Sequence, residues 1–98
     1  MQQWKKNDHG KPDLALMAWL PMEQVITICR VLEHGGQKYA PDNWKGGKFR
    51  RYASACLRHL FARLKGEIND PESGLPHLAH AACCILFLMW FDDNGRGH

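Results

Sequence analysis

Between Met22 and Glu33, apolar side chains recur at Met22, Val25, Ile26, Cys29 and Leu32, the 3.6-residue period of an amphipathic helix. Pro21 suits the first turn of that helix, and Gly35-Gly36 stops or bends it. The stretch from Lys38 to Gly47 has the turn-forming composition of a loop. A second helix is predicted from about Phe49 to Lys65, where Phe49, Tyr52, Ala53, Cys56, Leu57, Leu60, Phe61 and Leu64 form a wide stripe and Gly66 supplies a cap. A third runs from near Pro76 to about Phe91. From Leu78 to Phe91 it carries no charged residue, so it must be covered nearly all round.

Three helices offer too little surface to do that. The pattern therefore predicts an all-α fold, a small three-to-four-helix bundle completed by dimerisation, with Ala81, Ala82, Cys83 and Cys84 allowing close approach. Residues 1–20 read as an N-terminal arm: Gly10-Lys11-Pro12 breaks any helix, and Leu14, Leu16, Met17, Trp19 and Leu20 are expected to drape over the bundle. Residues 21–91 form the single helical domain, and the polar, Gly-rich stretch 92–98 a flexible tail.

With 98 residues the chain suits one domain whose core is marginal without a second copy. No segment reaches the length of a membrane span, and Met1-Gln2-Gln3-Trp4-Lys5-Lys6 lacks the apolar stretch of a signal peptide, so a cytoplasmic location is expected. Cys29, Cys56, Cys83 and Cys84 fall inside apolar helical patterns without zinc-finger spacing and read as reduced core residues. The net charge of +3 is modest and its basic residues are scattered among acids, which gives slight support to an anionic ligand and hardly any to a duplex-binding face.

The chemistry concentrates between Arg58 and His80. His59, Arg63 and Glu67 stand at four-residue steps on one helical strip, His77 and His80 share a face of the next helix, and Glu67, Asp70 and Glu72 lie in the connection. The plain reading of His59 is a helix-dipole partner, and of His77 and His80 a solvated first turn. However, the face that carries His80 continues into Cys84 and Leu88, interior residue types, and a buried imidazole needs a partner. A divalent metal held by His59, His77, His80 and either Glu67 or Asp70 supplies one. Imidazole with carboxylate suits Mn, Co, Fe, Ni or Zn, whereas Mg prefers oxygen ligands.

A second candidate group is Lys38, Tyr39, Asn43, Trp44 and Lys45, with Lys11 added. It combines cations for phosphates, rings on which a base can stack, and an amide that can read a base edge. The competing reading is a loop anchored by burying Trp44 and Tyr39.

These residues carry a resemblance. Gly10-Lys11-Pro12 with Leu14, Lys38-Tyr39 with Asn43-Trp44-Lys45-Gly46, Arg58-His59-Leu60, Gly66-Glu67, and Asp70-Pro71-Glu72-Ser73-Gly74-Leu75-Pro76-His77-Leu78-Ala79-His80-Ala81 resemble the small, largely phage-borne family of dATP/dGTP diphosphohydrolase N-terminal domains, over about residues 7–90. That resemblance implies hydrolysis of purine deoxynucleoside triphosphates to monophosphate and pyrophosphate, in phage nucleotide metabolism. It implies a nucleotide substrate held by Lys11, Lys38, Tyr39, Asn43, Trp44 and Lys45. With the ligand pattern it also implies a metal that polarises a phosphoanhydride and acidifies a water, with whichever of Glu67 and Asp70 is not a ligand as general base.

A more distant likeness is to the all-α, MazG-like nucleotide pyrophosphohydrolases, which hold magnesium with two acidic pairs spaced three apart. Here His77 and His80 occupy the place of the second pair, and no Glu-x-x-Glu pair occurs in the chain. The alternative from another class is a non-catalytic phage accessory module in which the histidines and acids form a structural hydrogen-bond cluster.

Overall fold

The computed structural model describes residues 10–38 and 42–95, with only the backbone of residues 37 and 38. The expectations for Tyr39, for the Lys38 side chain, and for the ends of the arm and tail lie outside the described residues. A 3-10 turn at Leu14–Trp19 precedes α1 (Met22–Lys38); a second 3-10 turn at Asn43–Gly46 leads into α2 (Phe49–Leu64), and α3 (His77–Asn94) follows a folded connection. Among the described residues there is no strand, and no helix is long and apolar enough to cross a membrane. The all-α class is as the periodicity predicts.

α3 lies between the other two helices. On one side Cys56 of α2 packs with Ala81 and Cys84, supported by Tyr52, Ala55 and Leu60; on the other, Val31 of α1 packs with Ala79 and Cys83, supported by Ile28, Leu75 and Phe87. Of the small residues expected to allow close approach, Ala81, Cys83 and Cys84 are contact points between helices, joined by Ala79, whereas Ala82 lies in neither cluster. Thiols replace larger side chains there and also reach carbonyls: Cys56 Sγ to Ala81 O and Cys83 Sγ to Ile28 O, each 3.7 Å. Burial pushes the Cys83 and Cys84 thiols up to about 11, which leaves them protonated and inert at neutral pH. All four cysteines are free, but Cys29 is exposed rather than core.

The C-terminal half of α3 is held by aromatic rings. Phe91 is fully enclosed. Trp44 stacks on Phe87 at 4.3 Å and meets Trp90 and Phe91 edge-on, and Tyr52 contacts both Phe87 and Phe91. The Tyr52 ring lies so close to Gly47 that a Cβ there would stand 2.7 Å from Cε2. Gly47→Ala is accordingly expected to displace Tyr52 and lower stability by about 1–3 kcal/mol, read from the denaturation midpoint.

Four expectations are corrected. α1 runs through Gly35 and Gly36 instead of ending there, because a mid-helix glycine costs only about 1 kcal/mol and Val31 docks the preceding turn on α3. The stripe Met22, Ile26, Cys29 and Leu32 is exposed, while Ile28 and Val31 supply the contact; α1 has two apolar arcs, and periodicity does not say which one meets a neighbour. Leu14, Leu16, Met17, Trp19 and Leu20 do not drape over the bundle: Asp13 caps a local turn by accepting from Ala15 N (3.1 Å), and Trp19 stands 85% exposed. Finally, α3 includes Asp92, Asp93 and Asn94 and ends at Gly95 in the left-handed region, so the start of the polar tail is a solvated last helical turn.

Candidate metal centre

α2 closes in a Schellman motif: Gly66 N–H donates to Arg63 O and Glu67 N–H to Ala62 O, both at 3.0 Å. The motif requires a left-handed residue, and Gly66 takes it with φ +105°. Glu67 is thus one residue beyond the cap, not on the helical strip that its spacing from His59 suggests. The chain then folds back on itself, with Asp70 N donating to Leu75 O (2.8 Å), Gly74 N to Asp70 O (2.7 Å) and His77 N to Ile68 O (2.9 Å). This closed connection delivers Glu67 and Asp70 to the gap between α2 and the start of α3.

Asp70 divides its oxygens between two tasks. Oδ1 accepts from Glu72 N (2.7 Å) and Ser73 N (3.3 Å), an Asx turn, while Oδ2 stands 3.8 Å from His59 Nδ1. His59 Nδ1 is in turn 2.8 Å from Nδ1 of His77, a residue only 4% exposed. The other nitrogen of His77, Nε2, lies 2.7 Å from Glu67 Oε1. An ionised carboxylate can only accept, so Glu67 holds His77 in the Nε2–H tautomer and turns the Nδ1 lone pair toward His59 and Asp70.

One ligand atom from each of His59, Asp70 and His77 lies within 4.8 Å of the others. This set fits a divalent cation. Two nitrogens bound at about 2.1 Å and at right angles would be roughly 3.0 Å apart, close to the spacing present. The set is mixed nitrogen and oxygen, and an outer carboxylate orients one imidazole, the usual environment of a metal-bound histidine.

His80 stands behind this group. Its ring lies flat against His59, with centroids 4.6 Å apart and planes 8° from parallel, and its Nε2 is 2.7 Å from Ser73 Oγ. Ser73 is a participant that the sequence reading passed over. Its Oγ also accepts from Leu75 N at 3.1 Å, so the hydroxyl has a hydrogen free for His80. The signal available was the Asp-Pro-Glu-Ser turn. His34, on α1 one turn beyond Val31, also bears electrostatically on His80 and went unnoticed. Glu72 contributes its backbone N–H to Asp70.

The second candidate group lies elsewhere. Asn43, Trp44 and Lys45 form the 3-10 turn that docks on the far end of α3, roughly 10–15 Å along the helix from His80 by its rise per residue. Lys45 lies 3.8 Å from Asp42 and over the Trp44 and Trp90 rings, and Lys11 is exposed ahead of the first 3-10 turn.

Electrostatics favour a neutral, donor-ready pair of rings. Burial, then the charge of His77, pushes His59 below the ordinary 6.5, with Asp70 opposing; burial, then His59, does the same to His80. For Asp70, burial works against ionisation, but the Glu72 and Ser73 amides and the nearby imidazoles outweigh it and hold the carboxyl below 3.8. The sign of the pH dependence follows. Imidazoles with depressed folded values bind fewer protons than in the unfolded chain, so their contribution to stability is complete above 6.5 and falls away as the pH drops below it. Asp70's contribution is complete above 3.8 and is lost as the pH falls through its folded value. The thermal midpoint of the cation-free protein is thus expected to decline from pH 7 to pH 5, and His80→Gln should flatten part of that decline.

No solved structure matches the chain. It is 40% identical over 89 residues to a dATP/dGTP diphosphohydrolase of Salmonella phage PMBT28, an alignment covering 91% of this chain but only 30% of that protein's length. The family model described as "dATP/dGTP diphosphohydrolase, N-terminal" matches residues 1–98, the whole sequence, and the chain belongs to that family.

Proposed function

We propose that this chain forms the metal-binding part of a hydrolase that cleaves purine deoxynucleoside triphosphates to monophosphate and pyrophosphate in the cytoplasm of the host cell. The observation that carries the reading is the convergence of His59 Nδ1, His77 Nδ1 and Asp70 Oδ2 at the mouth of the α2–α3 connection. The activity named for the phage relative supports the substrate class.

In this reading His59, His77 and Asp70 hold the cation, which when bound polarises a phosphoanhydride and acidifies a water. The imidazole ligands favour Mn, Co, Fe, Ni or Zn over Mg. Glu67 orients His77 through Oε1, and as a half-exposed carboxylate it takes a proton from the attacking water through Oε2. His80 and Ser73 brace the plane of His59. Lys11, Lys38, Tyr39, Asn43, Trp44 and Lys45 remain the proposed substrate-binding residues, with Trp44 offering the base only the surface that Phe87 leaves uncovered.

The same proposal includes a homodimer. Leu78, Ala82, Ile85 and Met89 recur at the four-three spacing of a helix-pairing seam and fall outside the α3 positions that meet α1, and Leu57, Phe61 and Leu64 of α2 are also exposed. Leu64 is 80% exposed in the single chain.

Titration with Mn²⁺ and dGTP, followed by assay of pyrophosphate release, tests the reading. Saturable metal binding and metal-dependent release are expected. Protein that binds neither would instead be the structural cluster, a reading favoured by the protein partners that the rings already have.

A further inference from the structure

Four of the thirteen Lys and Arg residues, all between Lys48 and Arg58, share one groove. Gly46, Gly47, Lys48, Arg50, Arg51, Ser54 and Arg58 line an open groove of about 610 Å³ along the outer side of α2. Every charged side chain lining it is cationic. None of the four appears in an ion pair with a carboxylate among the described residues, and the one recorded side-chain bond is Arg58 Nη1 donating to Ser54 Oγ at 3.2 Å. Arg50, Ser54 and Arg58 stand at four-residue steps, a strip about 12 Å long by helical rise that ends one residue before His59.

This arrangement opposes its own helix. α2 begins with no side-chain cap and no acid in its first turn, so Lys48, Arg50 and Arg51 crowd the positive end of the helix dipole. A bound anion would relieve their mutual repulsion beyond what solvent and salt already screen. Guanidinium groups match phosphoryl oxygens through paired hydrogen bonds. The lining has no aromatic ring on which a base could stack, which disfavours single-stranded nucleic acid.

We propose that this groove is an oligophosphate site, built to hold a short chain of phosphoryl groups such as a nucleotide's polyphosphate tail or inorganic pyrophosphate. It deepens the substrate reading given above and rests on it for its role in turnover, but not for binding. Arg50 and Arg51 grip one end of the phosphate chain, and Arg58 the end nearer the cation cluster.

The test is calorimetric titration of the full chain with inorganic tripolyphosphate in excess chelator. Saturable binding is expected, weakened at least ~10-fold in Arg50→Ala/Arg51→Ala, with each lost charge-assisted pair contributing comparably. The double variant should retain the helical circular-dichroism spectrum and the Mn²⁺ affinity of the parent, which excludes a folding defect. Parent protein that does not bind tripolyphosphate, or a double variant that binds it equally, overturns the proposal. So does an oligonucleotide that binds more tightly and displaces tripolyphosphate. His59→Ala separates this site from the metal centre: it should leave tripolyphosphate affinity in chelator unchanged even if hydrolysis is absent. Titrations with dGTP and with pyrophosphate then distinguish a site for the substrate's tail from one for the released product.

Discussion

If the proposed centre holds, His77→Ala is expected to abolish the proposed metal-dependent hydrolysis and weaken Mn²⁺ binding by more than ~100-fold, because changes around a ligand alone cost about 10–100-fold and the proposal makes His77 itself a ligand. It is also the buried member of the cluster, with one nitrogen toward His59 and the other on Glu67. Glu67→Gln separates the two roles proposed for that carboxylate. Glutamine can still accept from Nε2–H, so Mn²⁺ affinity should fall only modestly, while loss of the base should lower kcat about 10²–10⁴-fold. Calorimetry and steady-state assays on both variants provide the check. A His77→Ala protein that binds Mn²⁺ as tightly as the parent would remove the basis of the proposed mechanism.

Phe91→Ala should have the largest effect on stability, about 3–5 kcal/mol from lost burial and the cavity left behind. Small domains hold about 5–15 kcal/mol in total, so this is a large fraction of what is available. Phe91 is completely enclosed and is the ring that Trp44, Tyr52 and Trp90 all touch. Its removal frees the 3-10 turn from α3 as well as opening the core. Chemical denaturation should show the fall in midpoint, and Trp fluorescence should shift red as Trp44 gains water. Phe91→Leu, which fills more of the space, should cost markedly less.

The helices were legible because their apolar spacing is strong, and α3 was legible as a central element because nothing charged interrupts Leu78–Phe91. The contact face of α1 was not. Ile28 and Val31 form one arc and Met22, Ile26, Cys29 and Leu32 another, and only the position of α3 selects between them. At the cluster, the convergence of His59, His77 and Asp70 followed from their places around one short connection. The division of labour did not: which nitrogen of His77 meets Glu67, and that His80 lies against His59 instead of beside the gap, depend on side-chain rotation and on a turn closed by Ser73. The groove cations were legible in principle, since Arg50, Ser54 and Arg58 stand at four-residue steps on the predicted second helix, but the scatter of charge along the rest of the chain hid them.

The two-sided carboxylate of Asp70 ties the shape of the connection to the occupancy of the centre. The oxygen that grips the Glu72 and Ser73 amides and the oxygen that faces His59 belong to one rigid planar group, so neither can reposition without swinging the other. Ion capture at the proposed centre and ordering of this loop would therefore be a single coupled equilibrium, and loosening the turn would weaken the hold on the ion.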